Sequence, residues 1–417
     1  MKITIKRSEL LRALGVFKRF VDGRAAAAHR TIWFSSHADR PLVVSMQDKN
    51  DVYLSTNVPV LEFEREHKAE NEAAFAGAVF KPFYKMLRYA PDAVTLELDP
   101  DLPNIRISFP GGSLACVTMD RAWRPQPALL RSGSAVGVEA LAVALESVYR
   151  SASDDKTMDA LSCVRLRSRG QDGLLAEALN GHQYQNALVA DTDTSCTGWA
   201  GTLPKDGILL RRTDVARLIP LLRSDFLGDN PVAHVEEKTA ERYDKVNGTT
   251  ITEKSYVRLY LRGSRGVVSL TLGRYSYPNT DDFVAKGRAA SNSLTTKAGE
   301  MHSALRMLHE LTDEYNRALY INATPAGAVL SVKSNDLGGD FILDAECQGP
   351  LARIAFPAKN LLALVREFKK DETVLFRMPS AEGPCLITGD LHPGQETVLM
   401  PMKIVDDDWK PEEAEAV

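Results

Sequence analysis

No stretch of this 417-residue sequence is apolar enough to span a membrane, and its start, MKITIKR, alternates where a secretory leader runs basic and then apolar. The expectation is a chain working in the cytoplasm. Cysteine is scarce: Cys116, Cys163, Cys196, Cys347 and Cys385 include no CxxC and no Cys/His ligand spacing. That excludes a disulfide framework and a zinc site, and leaves small core residues in a reducing compartment. The marks of catalysis are missing too. No nucleophile motif, paired-carboxylate constellation, GxGxxG or Walker sequence occurs, so His182 beside Asn180 reads as a turn or groove residue, and neither enzyme activity nor a cofactor is expected.

An excess of positive charge is absent as well. The net charge of -4 speaks against nucleic acid as a partner until its distribution is considered. The last twelve residues, DDDWKPEEAEAV, hold six acids and one lysine, and residues 1–405 are close to neutral with 50 basic and 49 acidic side chains. The body can therefore carry a basic face balanced by an acidic one.

What is present is a repeat. Leu361, Leu364, Val365 and Phe368 fall on one helical face, and the same spacing recurs at Phe83, Met86, Leu87, Ala90 and at Val215, Leu218, Ile219, Leu222. A second set carries alanine at i+3: Leu10, Ala13, Leu14, Phe17, then Leu141, Ala144, Leu145, Val148, then Met301, Ala304, Leu305, Leu308. The sets interleave at separations of 131 to 160 residues, which gives three modules of two helices each. Short β-branched runs such as TIWFSS, NIRISF, SLACVTM and GAVLSVKS fill the intervals. The expected class is α+β, three tandem domains, each with two helices packed on antiparallel sheets. The boundaries place domain 1 at 1–124, domain 2 at 136–284 and domain 3 at 297–405, followed by an acidic tail at 406–417. The linkers are RPQPALLRSGSA and AKGRAASNSLTT, and a charged hairpin with Asn247-Gly248 at its turn is inserted at about 235–256.

The outer faces of the first set of helices are biased to one sign. Lys81, Lys85 and Arg88 share a side, as do Lys359, Arg366 and Lys370, while the middle module offers Arg212, Arg217 and Arg223 around Pro220, a residue expected to end or bend its helix. Charge on an outer face is ordinarily solvation; a stripe of cations without matching acids also suits a phosphate backbone.

Further segments carry a family likeness. MKITIKRSELLRAL, LNGHQYQNALVA (Leu179 to Ala190), LGRYSYPNTDDF (Leu272 to Phe283) and the closing TVLMPMKI (Thr397 to Ile404) resemble the bacterial DNA polymerase III beta subunit, the sliding clamp, over residues 1 to 404. The resemblance implies a head-to-tail homodimeric ring that encircles duplex DNA without regard to sequence and tethers the replicative polymerase. It implies partners bearing clamp-binding peptides, among them the polymerase and the clamp loader, and no membrane. Tethering acts as an effective concentration, because a polymerase held on the ring rebinds its primer end before diffusing away.

By the same resemblance the partner-peptide groove comprises Leu161, Leu179, Gly181, His182, Gln183, Tyr184, Pro278, Asp282, Phe283, Tyr315, Val398, Met400, Pro401 and Met402. The DNA-binding positions are Arg24, Lys81, Lys85, Arg88, Arg212, Arg217, Lys359 and Arg366. Ring closure would use Leu114 and Cys116 on the SLACVTM edge strand together with Leu308. Departures are visible at Asn180 and Gln183, where the family usually has Asp and Arg, and at Asp282, where it usually has Arg. An acidic run from Asp154 to Asp159 opposes close DNA contact there, and the tail past Ile404 is an addition, expected to solubilise or to modulate the groove through Trp409. Two alternatives stay open: a clamp-like paralogue of phage or mobile-element origin, and a peptide-binding scaffold that never touches DNA.

Overall fold

The computed structural model describes residues 2–36, 42–64, 74–98, 104–117, 125, 133–155, 157–170, 173–189, 195–244, 249–312, 317–324, 327–333, 337–349 and 352–404. The chain divides into two compact units. Unit one comprises Met1–Tyr149, Cys163–Ala176 and Val189–Ser276; unit two comprises Arg150–Ser162, Glu177–Leu188 and Tyr277–Val417.

Unit one carries helices α1 (Arg7–Phe17), α2 (Phe80–Leu87), α3 (Val138–Val148), α4 (Ser195–Ala200) and α5 (Arg212–Leu222). The apolar periodicity became buried faces: Leu10, Leu14 and Phe17 on α1, Phe80, Phe83 and Leu87 on α2, and Leu141, Leu145 and Val148 on α3. A five-stranded antiparallel sheet runs in the order Glu62–Glu64, Lys2–Lys6, Ala93–Glu97, Asn104–Phe109, Gly112–Val117. A longer ladder includes the expected charged hairpin, whose strands Val232–Asp244 and Thr249–Arg262 pair from Val232↔Arg262 to Asp244↔Thr249. Its Asn247-Gly248 turn lies outside the described residues. The next strand, Gly266–Thr271, pairs with Tyr53–Val58 through Val267↔Ser55 and Val268↔Leu54. Backbone hydrogen bonds therefore join segments that sequence reasoning assigned to separate domains.

Unit two carries α6 (Asp281–Arg288), α7 (Ala298–His309) and α8 (Ala358–Val365). Its ladder runs Gln183–Val189, Gln395–Leu399, Cys385–Gly389, Thr373–Arg377, Ser293–Lys297, Ala345–Gln348. A second antiparallel sheet runs Gly338–Leu343, Gly327–Lys333, Ala318–Thr324, Ala352–Pro357. Met301, Leu305 and Leu308 of α7 and Leu361, Leu364 and Val365 of α8 bury into one apolar core with Leu319, Ile321, Leu330, Phe356 and Phe376. The fold is α+β, with helices laid on antiparallel sheets.

Two helical expectations need correction. Pro220 neither ends nor breaks α5, which continues to Leu222. Pro220 gives up the bond its N–H would make to Ala216 O, but the helix carries on past it, and Arg223 N donates to Ile219 O at 3.1 Å. Conversely α8 stops at Val365, so Lys370 lies beyond the helix whose basic face it was expected to share. The buried Glu372 carboxylate accepts from Lys369 N at 3.0 Å, and Lys370 O accepts from Gly299 N at 2.9 Å, which pulls the chain out of helical geometry.

The short helices α4 and α6 were not expected. In α6 the Pro278 turn and Gly287 disguised the pattern, although Asp281 and Asp282 in the first turn and Lys286 and Arg288 in the last are the usual charge signals of helix ends. Gly287 is there for space: a Cβ would lie 2.6 Å from Leu386 Cβ.

Candidate partner groove and basic faces

The groove is built within unit two on a tight turn. Asn180 Oδ1 accepts from the backbone N–H groups of His182 (3.0 Å) and Gln183 (2.8 Å), and Asn180 N donates to Gln183 O at 3.0 Å. Gly181 occupies φ +92°, a conformation that suits glycine, and the open side above it is approached by the Leu161 side chain. The turn fixes Gln183–Ala187 in register with Gln395–Leu399, Tyr184 opposite Val398, and Met400 N donates to His182 O at 2.9 Å.

Tyr184, Val284, Leu386 and Val398 form the buried floor, with Leu179 and Phe283 packed against it. The Tyr184 and Phe283 rings meet edge to face at 5.9 Å. Above the floor Met400 is 39% exposed, Pro278, Gly181, His182 and Asp282 are exposed, and Leu161, Gln183, Pro401 and Met402 are half-buried. Met402 is held by its N–H to Ala355 O at 2.7 Å. Of the residues proposed for the groove, Tyr184 and Val398 lie in this buried cluster, and Leu179 and Phe283 pack on it. Tyr315 lies outside the described residues.

Beneath the floor is a polar network that sequence reasoning missed. Tyr184 Oη donates to Glu177 Oε2 at 2.7 Å, and Thr280 Oγ1 donates to the same oxygen at 3.0 Å. Asn186 Nδ2 donates to Tyr184 Oη at 3.2 Å and to Glu396 Oε2 at 3.0 Å, while Arg288 grips Glu396 through Nε at 2.6 Å and Nη2 at 2.8 Å. Burial, reinforced by the Glu177 carboxylate, pushes the Tyr184 phenol far above its ordinary value, so it remains a neutral donor. The detectable signal was Glu177 itself, an acid inside the apolar run LLAEAL.

Gln183 is turned inward. Its Nε2 donates to Ser151 Oγ at 2.9 Å, Ser151 donates to Gln185 Oε1 at 2.7 Å, and Gln185 donates to Glu367 Oε2 at 3.0 Å. His182 contributes its backbone carbonyl, and Asp282 stands near Asn279, whose Nδ2 lies 3.4 Å from Asp282 Oδ2.

The basic candidates divide. Lys81, Lys85 and Arg88 are all exposed on α2 and its C-cap, and Lys81 Nζ lies 2.7 Å from where a Cβ on Gly23 would stand, beside the exposed Arg24. Lys81 thus reaches the loop that carries Arg24, while Lys85 and Arg88 follow it along the exposed side of the helix end. Arg217 does not join such a surface: Nη1 pairs with Asp48 at 2.5 Å, Nη2 pairs with Asp214, and the guanidinium lies 5.1 Å from the Phe20 ring centre. Both carboxylates are buried, so Arg217 is a structural ion pair rather than a free cation. Arg212 is half-buried. Arg223, whose direction the sequence left open, turns to Glu139 and Glu146 of α3. Lys359 and Arg366 are both exposed; Arg366 Nε lies 3.4 Å from His302 Nε2, whereas Lys359 lines a cleft with Met402 of the groove.

In the acidic run, Asp155 accepts from Thr157 N at 2.9 Å and Thr157 Oγ1 at 2.7 Å, bonds that hold its carboxyl below the usual range. Leu114 is 40% exposed and Cys116 half-buried on the terminal strand of the five-stranded sheet. Leu308, grouped with them on sequence grounds, is 4% exposed in the core of unit two. Among the described residues no grouping of His, Cys, Asp and Glu could hold a metal, and no helix is long and apolar enough to cross a membrane.

Neither a protein-family model nor a curated protein sequence matches this chain. Solved structures do. A Caulobacter crescentus DNA polymerase III beta subunit is 19% identical with a TM-score of 0.77, covering 97% of this chain and 100% of the other. The sliding clamp of Bartonella birtlesii, solved bound to griselimycin, is 17% identical with a TM-score of 0.73 over the same shares. The beta subunit of Pseudomonas aeruginosa gives 13% and 0.75, again over 97% and 100%. Over nearly its whole length the chain has the fold of the bacterial DNA polymerase III beta sliding clamps.

Proposed function

We propose that this chain is a sliding clamp: a non-catalytic, homodimeric ring that encircles duplex DNA and tethers a polymerase and other partners through short peptides. The observation that carries this reading is the near-complete structural likeness to bacterial beta clamps, extending over 97% of the chain. Three domains, near 1–124, 136–284 and 297–405, belong to the same reading, as does replication at the nucleoid.

Local chemistry supports each part. Arg24, Lys81, Lys85 and Arg88 are all exposed, with Lys81 against the loop of Arg24, which suits phosphate, where charge gives weak affinity independent of sequence. Lys359, Arg366 and Arg212 are further candidates. Two sheets end in strands with exposed apolar side chains, Leu114 on Gly112–Val117 and Ile342, 82% exposed, on Gly338–Leu343. Such edges suit strand pairing between chains in a head-to-tail dimer. The groove, with Met400, Met402, Pro278, Phe283 and Leu179 over a rigid floor, suits an apolar peptide.

The test is retention on circular against linearised DNA after loading. A topologically linked ring is lost only from the cut molecule, and equal loss from both overturns the proposal. Light scattering should return twice 45.9 kDa.

A further inference from the structure

Unit two contains a cleft of about 780 Å³ between the C-terminal end of α7 and the start of α8. Its titratable lining residues are His309, Arg317 and Lys359, all basic; Pro357 and Met402 supply apolar walls, and no acid lines it among the described residues. We propose that the chain's own acidic C-terminal segment, residues 406–417, docks in this cleft.

Two observations select that occupant. The first is charge: two cations, Arg317 and Lys359, line the cleft beside His309, within tether reach of a segment with six acids and one lysine, DDDWKPEEAEAV. The second is where the chain ends. Met402 is part of the cleft wall and is held to Ala355 by a 2.7 Å backbone hydrogen bond, so Asp406 follows only four residues after a fixed cleft residue. An extended chain covers about 3.3–3.6 Å per residue, which keeps Asp406 within ~14 Å and Asp408 within ~22 Å of Met402. So short a tether gives an effective concentration of roughly millimolar or more, enough for contacts too weak to act between separate molecules. Trp409 follows directly and can lay its ring against Arg317 or Lys359, a pairing favoured by the ring quadrupole. Met402 is also a candidate position of the proposed partner groove, two residues from Met400, so a docked segment would lie beside that site and compete with an incoming peptide. The inference does not rest on DNA binding, but it places the segment on Lys359, a candidate DNA contact, so the test is made without DNA.

The experiment is zero-length carbodiimide coupling of the full chain, in which the carbodiimide activates a carboxylate, the Lys359 amine displaces the resulting urea, and an amide remains. The expected product joins Lys359 to an acid between Asp406 and Glu415. In an equal mixture of unlabelled and ¹⁵N-labelled chains, both halves should carry the same label. Arg317→Gln removes a cleft cation without touching the coupling amine, and should lower the yield roughly fivefold. About 1 M salt, which shortens screening to roughly 3 Å, should lower it similarly in the unmodified chain. Coupling of the segment to the exposed Lys81 or Lys286 as readily as to Lys359 overturns the proposal. So do mixed-label products, or a yield insensitive to salt.

Discussion

Arg217 Nη1 lies 2.5 Å from Asp48 Oδ2, and the same guanidinium also pairs with Asp214; both acids are 1% exposed. The most centrally placed cation of the middle module is thus a bolt between the end of strand Leu42–Gln47 and α5. Removing it leaves two buried carboxylates unpaired. Arg217→Ala should destabilise the chain by about 3–5 kcal/mol in chemical denaturation. A loss below ~1 kcal/mol would show that water replaces the guanidinium at little cost.

Lys85→Ala should behave in the opposite way. The side chain is exposed, so stability should change by less than ~0.5 kcal/mol, while the slope of log affinity for duplex DNA against log salt should drop by about 1. Fluorescence anisotropy at several salt concentrations measures it. An unchanged slope removes Lys85 from the DNA face.

Tyr184→Phe should cost about 1–2 kcal/mol, because it deletes the donor 2.7 Å from the buried Glu177 carboxylate and leaves Thr280 beside it. The floor keeps its ring, so affinity for an apolar peptide should fall by less than threefold. A larger loss of peptide binding than of stability would mean that the phenol reaches the ligand.

Gly287→Ala tests packing against propensity. Alanine favours a helix by about 1 kcal/mol, but its Cβ would meet Leu386 Cβ at 2.6 Å. Overpacking of roughly 1–3 kcal/mol should win and lift α6, with Phe283, from the strand beneath. Lowered melting temperature together with weaker peptide binding is expected; a stabilised variant would show that Leu386 moves aside.

Burial raises the Glu367 carboxyl above its ordinary value of 4.5, against a smaller opposing pull from Gln185. The folded chain therefore takes up a proton, on acidification, before the unfolded chain does. Glu367 costs stability above its folded value, and the cost disappears as pH falls to the unfolded one. Glu367→Gln can still accept from Gln185. Relative to that variant, the unmodified chain should gain stability between pH 7 and about pH 4.5. A constant difference across that window would mean that Glu367 titrates normally.

The helices with continuous apolar faces were legible because 3.6-residue periodicity reports burial directly, and Leu361, Leu364 and Val365 went where their spacing put them. The candidate groove residues were proposed only by likeness of short motifs; nothing in Leu179 or Met400 alone announces a site. The segments that failed are those where a distant group overrides local pattern. Glu372 takes Lys370 out of α8, Leu386 demands glycine in α6, and Asp48, 169 residues away, decides what Arg217 does.

By itself the sequence determined the repeat of helices and strands, since alternation and periodicity are local properties of the chain. It also determined the acidic character of residues 406–417. Tertiary structure alone decided which cations are available and which are bound. An arginine on an outer face reads the same whether it meets water or a buried carboxylate, and only the packing of α5 against the Asp48 turn makes Arg217 the second kind. The groove floor is the same case. Glu177, Tyr184 and Thr280 are scattered over a hundred residues, and only strand register and the close approach of α6 bring them within a hydrogen bond of one another.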